Sequence, residues 1–164
     1  MKTRILVAQA HRTARANAVR LKALAAFLLE QAAAERPGFA LTELSIALVD
    51  DAGIAPLNER FMRHRGPTDV ISFLLAPPPG HAAPAGEIVI NVQRAGDEAA
   101  RRRLDTAREL AWYLAHGIDH LAGGTDRSAA QRAAMHRREK QWLRRADAAG
   151  LLSALMAPPR KSRT

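Results

Sequence analysis

The sequence predicts an α+β fold: a single domain in which a small mixed β-sheet carries helices packed on it. Three observations point there. The chain has 164 residues, 48% of them hydrophobic and 25% charged, which suits one domain around one core. Four short aliphatic stretches of strand length fall within residues 4–91. Long amphipathic segments bracket and follow them, in the order β α β α β β α α α, with no internal repeat and no second domain. The domain is expected to span residues 1–156, and the basic tail at 157–164 is expected to be disordered.

Each element has its own signal. Arg-Ile-Leu-Val-Ala at 4–8 reads as a short strand. A helix is expected from about 15 to 35, ending at Pro37-Gly38, because Leu21, Leu24, Ala25, Leu28 and Leu29 recur at i, i+3, i+4 spacing. Residues 39–49 read as a strand, with Leu41, Leu44, Ile46 and Leu48 apolar and Thr42 and Ser45 between them. Asp50-Asp51 can cap a helix from about 54 to 64. Pro67-Thr68 marks a turn into the strand Val70–Leu74. Three consecutive prolines, Pro77 to Pro79, make the following segment a surface loop. Glu87–Asn91 is the last strand. Helices are expected at 92–102, at about 104–121 ending at Gly123-Gly124, and from a Ser128 cap to about 149, ending at Gly150.

Composition excludes several function classes. There is no cysteine, which rules out disulfide scaffolds, thiolate zinc fingers, iron–sulfur clusters and a cysteine nucleophile. No apolar run approaches the ~20 residues that span a bilayer, and Ile5–Ala8 is too short for a signal-peptide core. A cytoplasmic protein with no membrane partner is the expectation. Lys and Arg number 25 against 16 Asp and Glu, a formal net charge of +9, with a pI near 11.3. That excess suggests a polyanionic partner such as nucleic acid; the plainer alternative is a basic surface that only confers solubility.

The most informative stretch is His116-Gly-Ile-Asp-His120-Leu-Ala-Gly123-Gly124-Thr-Asp126. Residues four apart on a helix project from one face, so His116 and His120 can reach one metal ion. Gly123-Gly124 lets the chain turn back, which would return Asp126 to the same point. Two imidazoles and a carboxylate make a three-ligand zinc site at the end of a core helix, with a position open for water. Zinc there would lower the pKa of that water to ~7. The alternative is a chance histidine pair on a helix. The spacing also matches metzincin-like proteases, but their motif needs Glu directly after the first histidine as general base. Gly117 occupies that position, which argues against a peptidase.

These residues resemble a known family. The segment is similar to the H-G-x-L-H-L-x-G-Y-D-H signature of the YbeY family of metal-dependent endoribonucleases, the bacterial rRNA maturation factors, with His116, Gly117, His120, Leu121 and Gly123 in register. Leu57-Asn58 followed by Pro67-Thr68-Asp69-Val70-Ile71-Ser72-Phe73 resembles the family's L-N…P-T-D-V-L-S-F. Gly86–Ile90 resembles its G-D-I-x-I strand, and Met135 and Glu139 match a weaker M-x-x-x-E. The resemblance implies one Zn2+ per chain, with Asp126 in place of the family's usual third histidine. It implies single-strand endoribonuclease activity in 16S rRNA maturation and ribosome quality control, with rRNA and the small ribosomal subunit as partners. A water or an RNA 2′-hydroxyl would be the nucleophile. The family's arginine four residues after the motif asparagine is Met62 here; Arg63 and Arg65 are the nearest candidates to stabilise phosphate charge.

Other residues carry weaker expectations. Thr68, Asp69 and Ser72 are read as structural, and Asn58 as a hydrogen-bond partner of a neighbouring loop. Asp119 is expected to be solvated, the alternative being a partner for a histidine N–H. Glu109 is either an acid supporting His116 or a surface glutamate. Arg137, Arg138, Lys140 and Arg144 on the last helix are candidate RNA contacts, since arginine suits phosphate through its bidentate fork. The alternative functions are a non-catalytic ribosome-assembly factor with a structural metal, and a zinc hydrolase of another substrate.

Overall fold

The structure, a computed structural model, describes residues 2–12 and 14–158. Its elements follow the expected order: β1 (Arg4–Gln9), α1 (Ala18–Glu35), β2 (Glu43–Val49), α2 (Asp51–Leu57), β3 (Val70–Leu75), β4 (Ala85–Asn91), α3 (Val92–Arg102), α4 (Thr106–Leu121) and α5 (Ala129–Ala148). The sheet has the spatial order β1-β2-β4-β3. β1 and β4 both run parallel to β2, and β3 runs antiparallel to β4. The mixed sheet and α+β class are as expected. Residues 159–164 of the expected tail lie outside the described residues. Ala157 lies inside them, and its N–H donates to the Arg15 carbonyl at 2.7 Å.

The apolar pattern decides which faces pack. The expected stripe on α1 is buried as Leu21, Leu24, Ala25, Leu28 and Leu29, with Ala32 added. It packs with Ile46, Ile88 and Ile90 of the sheet and with α4 in one main core. A smaller cluster of Val49, Ile54, Ile71 and Val89 fills the other face under α2. β4 is thus covered on both sides, which explains its near-continuous apolar run. β3 is an edge strand, and its Leu74 and Leu75 stand exposed before the proline loop. No helix among the described residues is long and apolar enough to cross a membrane.

One segment departs from the expected helix at 54–64. The α-helix caps on Asp50, whose side chain accepts from Gly53 N–H at 2.9 Å, but it ends at Leu57. Residues Asn58–Met62 form a π-helical turn. Pro56 inside α2 has no N–H to give to the preceding turn. The wider turn follows it and leads to Arg63 in the left-handed region, at φ 57°. Asn58 is buried there, and its Nδ2 donates to the Gly66 carbonyl at 2.9 Å.

α4 is the central helix, with ten of its 16 residues buried. It comes closest to the sheet at Gly117. A Cβ there would lie 2.9 Å from Ile88 Cγ2 and 3.1 Å from Ser72 Oγ. Ser72 Oγ donates to the Gly117 carbonyl at 3.2 Å, so β3 and α4 are pinned one residue from His116. Overpacking of this kind costs about 1–3 kcal/mol, against about 1 kcal/mol regained from alanine's helix propensity. Gly117→Ala is therefore expected to lower the urea-unfolding free energy by up to about 2 kcal/mol; a raised midpoint would show that α4 can lift away from the sheet freely.

Candidate metal centre

The histidine pair closes α4. The two rings lie nearly perpendicular, at 85°, with centroids 4.5 Å apart. Each has its Nδ1 engaged by an oxygen: His116 Nδ1 by Glu139 Oε1 of α5 at 2.8 Å, and His120 Nδ1 by the Gly124 carbonyl at 3.0 Å. These acceptors assign the ring proton to Nδ1 and leave a lone pair on each Nε2. The two Nε2 atoms face one another at 3.1 Å. Lone pairs at that distance repel unless a proton or a cation lies between them. Asp126 Oδ2 stands 3.6 Å from His120 Nε2, and ligand atoms of all three residues lie within 4.8 Å of one another. The structure thus brings the three expected ligands together.

Glu139 adds an electrostatic argument. It is fully buried. Its Oε2 has no hydrogen-bond partner among the described residues. A carboxylate in that position needs positive charge at or beyond the imidazole it holds. Burial lowers the His116 pKa, but the hydrogen bond and charge of Glu139, with Asp69 and Asp126, outweigh it, so the net shift is upward from the ordinary histidine value. Two imidazoles, one carboxylate oxygen and a carboxylate behind a ring suit a divalent metal that accepts mixed nitrogen and oxygen ligands.

The turn that delivers Asp126 is held from beneath. Gly123 takes φ 98°, and Gly124 N–H donates to the Asp119 carbonyl at 2.8 Å. A Cβ on Gly124 would sit 2.5 Å from Asp119 Oδ1. Asp119 is neither solvated nor a partner of a histidine. It is completely buried, and Arg138 grips it with Nε and Nη2, both at 3.0 Å. Arg36, just past α1, adds Nη2 at 3.3 Å. Arg138 is therefore removed from the candidate RNA contacts, because its guanidinium is spent on an internal carboxylate.

Comparisons with known proteins give the family and the fold. The family model described as Endoribonuclease YbeY matches residues 7–147. The chain belongs to the YbeY family. An Endoribonuclease YbeY from Anaeromyxobacter sp. (strain Fw109-5) is 38% identical over 119 residues, covering 73% of this chain and 60% of the relative. One from Moorella thermoacetica is 39% identical over 120 residues, covering 67% of this chain and 77% of the relative. The matched stretch spans about 60% of the two Anaeromyxobacter relatives' length. A solution structure of a Thermotoga maritima protein superposes with a TM-score of 0.60 at 21% identity, covering 96% of this chain and 99% of that one. That likeness is one of fold.

The remaining candidates in this YbeY-family chain sort by contact. Asn58 holds its loop, as expected. Thr68 Oγ1 meets Asp69 Oδ1 at 3.2 Å, and Asp69 Oδ1 accepts from Val70 N–H at 2.8 Å, so both are structural at this turn. Glu109 is buried beside Arg102, 3.5 Å away; it is neither a surface residue nor a partner of His116. Arg63 and Arg65 are exposed, with no ion pair among the described residues. Arg137, Lys140 and Arg144 are exposed on α5. Glu139 is the site residue to which the sequence attached no role; its signal was the M-x-x-x-E match.

Two measurements test the site. Glu139→Gln removes the charge that raises His116, so NMR titration of metal-free protein should show the His116 pKa falling. An unmoved value would mean that Glu139 does not govern that ring. Asp119→Leu strips the carboxylate from two arginines and is expected to cost about 3–5 kcal/mol of stability, read by urea denaturation; Asp119→Leu with Arg138→Leu should recover part of it.

Proposed function

We propose that this chain is a metal-dependent single-strand endoribonuclease that acts on rRNA of the small ribosomal subunit in the cytoplasm, with Zn2+ held by His116, His120 and Asp126. The observation that carries the reading is the pair of Nε2 atoms converging at 3.1 Å beside Asp126, in a chain that belongs to the YbeY family. A divalent metal held there supplies charge stabilisation to a phosphodiester and lowers the pKa of a water. The protein's part is to hold the donors in place. Glu139 and the Gly124 carbonyl fix both ring tautomers, so that each Nε2 presents a lone pair. Arg63 and Arg65 extend from the 58–66 loop, which Asn58 ties shut and which packs Phe61 edge-on to Phe73 of β3, with centroids 5.2 Å apart. They are the proposed contacts for phosphate charge.

Two facts weigh among alternatives. The position where a peptidase would carry its glutamate is Gly117, where the sheet leaves no room for a side chain. Met62, half-exposed at the end of the π-turn, stands where the family's arginine is usual. That substitution favours a second reading, a ribosome-assembly factor with a structural metal. The decisive test is elemental mass spectrometry together with cleavage of a single-stranded RNA. Wild type is expected to carry about one zinc and to cut; His116→Ala and His120→Ala should lose both metal and cleavage. Metal without cleavage would select the assembly-factor reading, and no metal in wild type would overturn the site.

A further inference from the structure

One turn of α4 before His116, two clefts of about 340 Å³ each share Arg102, Glu109 and Trp112 as lining. Together they make one groove along α4 and α5. α4 contributes Arg108 and Trp112, and its next turn on that face is His116. α5 contributes His136, Lys140 and Arg144, again four residues apart. Each row covers about 12 Å of helix, so the groove leads away from the candidate metal centre.

Its chemistry is both aromatic and cationic. Trp112 is half-buried in the groove wall, edge-on to His136 with ring centroids 5.2 Å apart. Most of the acids along the groove are already engaged by arginine: Glu98 by Arg101 and Arg102, Glu109 by Arg102, and Asp147 by Arg108. The fourth, Asp69, is tied to its own turn. Lys140 and Arg144 are exposed and have no ion pair among the described residues. Arg94, at the site end, bonds only the Pro67 carbonyl, at 3.3 Å. Asp69 keeps its own charge, but three cations, Arg94, Lys140 and Arg144, stand against it with no ion pair among the described residues, so the balance left in the groove is positive, and it flanks an indole.

We propose that this groove binds a single-stranded RNA segment next to the scissile phosphodiester, with one base against Trp112 and its flanking phosphates on Lys140 and Arg144. An unpaired base offers the face that an aromatic side chain needs, and a cationic groove follows the backbone without reading sequence. The proposal rests on the endoribonuclease reading and assigns that reading its substrate track.

Intrinsic fluorescence provides the test. The chain has two tryptophans, and Trp142 is completely buried, so Trp112 reports the groove. Metal-loaded protein is titrated with a non-cleavable 2′-O-methyl oligonucleotide of about eight residues, followed by tryptophan quenching and by anisotropy of a labelled copy. Wild type should quench on binding. Trp112→Leu, which keeps an apolar contact with the core, should weaken binding about tenfold or more. Lys140→Glu with Arg144→Glu, a change confined to exposed positions, should weaken it at least as much. Lys140→Ala and Arg144→Ala should each lower the salt slope by about 0.7, while Lys22→Ala on the exposed side of α1 should change nothing. Wild-type affinity in the groove variants, or equal quenching by duplex RNA or by poly-glutamate, would overturn the proposal. If RNA is still cut and only the groove variants are silent, the track fails and the endoribonuclease reading stands. If Trp112-dependent binding appears without cleavage of unmodified RNA by the same protein, the groove stands as an RNA-binding surface, its place beside a scissile bond is overturned, and the endoribonuclease reading fails.

Discussion

Asp119 sits completely buried in the last full turn of α4, and its charge has to be met inside the protein. Two guanidiniums meet it, Arg138 from α5 and Arg36 from the end of α1. Glu35 extends the cluster, accepting from Trp142 Nε1 at 2.9 Å. Three helices are therefore fastened around one carboxylate. The same residue's carbonyl takes the Gly124 N–H, and the Gly124 carbonyl takes His120 Nδ1. The aim of one candidate ligand and the path of the loop bearing another thus descend from a single buried ion cluster. The third ligand, His116, is held from α5 by Glu139, one residue beyond Arg138. α5 acts as the brace of the centre, although none of its side chains is among the expected ligands.

Much of this was legible in the sequence wherever the signal is local. The stripe on α1, the caps at Asp50 and Ser128, and the i, i+4 histidines followed by two glycines each depend on neighbours within a few positions. The partnerships of Glu139 with His116 and of Arg138 with Asp119 join residues 23 and 19 positions apart; Arg138 lies three positions after Met135 and four before Trp142, on the buried stripe of α5, but that stripe does not name the distant acid that receives it. A run of arginines looks like a solvated or phosphate-binding face until a buried acid claims one of them. The π-turn at Asn58–Met62 was hidden for a related reason. Pro56 marks a disturbed turn, but it does not say that the chain widens into a π-turn instead of ending the helix.

Gly117 joins the fold to the chemistry. Its missing side chain lets α4 settle against Ile88 and Ser72, and that close approach sets the height of the histidines above the sheet. The residue that makes the packing possible is also the one that removes a peptidase's general base. Packing and reaction class are here two readings of one absent Cβ.

β3 has a further consequence for how the chain behaves in company. Among the described residues no strand pairs with its outer edge, so a row of backbone donors and acceptors faces outward beside Leu74 and Leu75. Such an edge invites self-association through growth of the sheet. The chain runs from Leu75 through Ala76 into three prolines, none of which has an N–H to offer an incoming strand. The pairing length that this edge offers is thereby limited to a six-residue strand, because an incoming strand finds no donors to continue along in the proline loop.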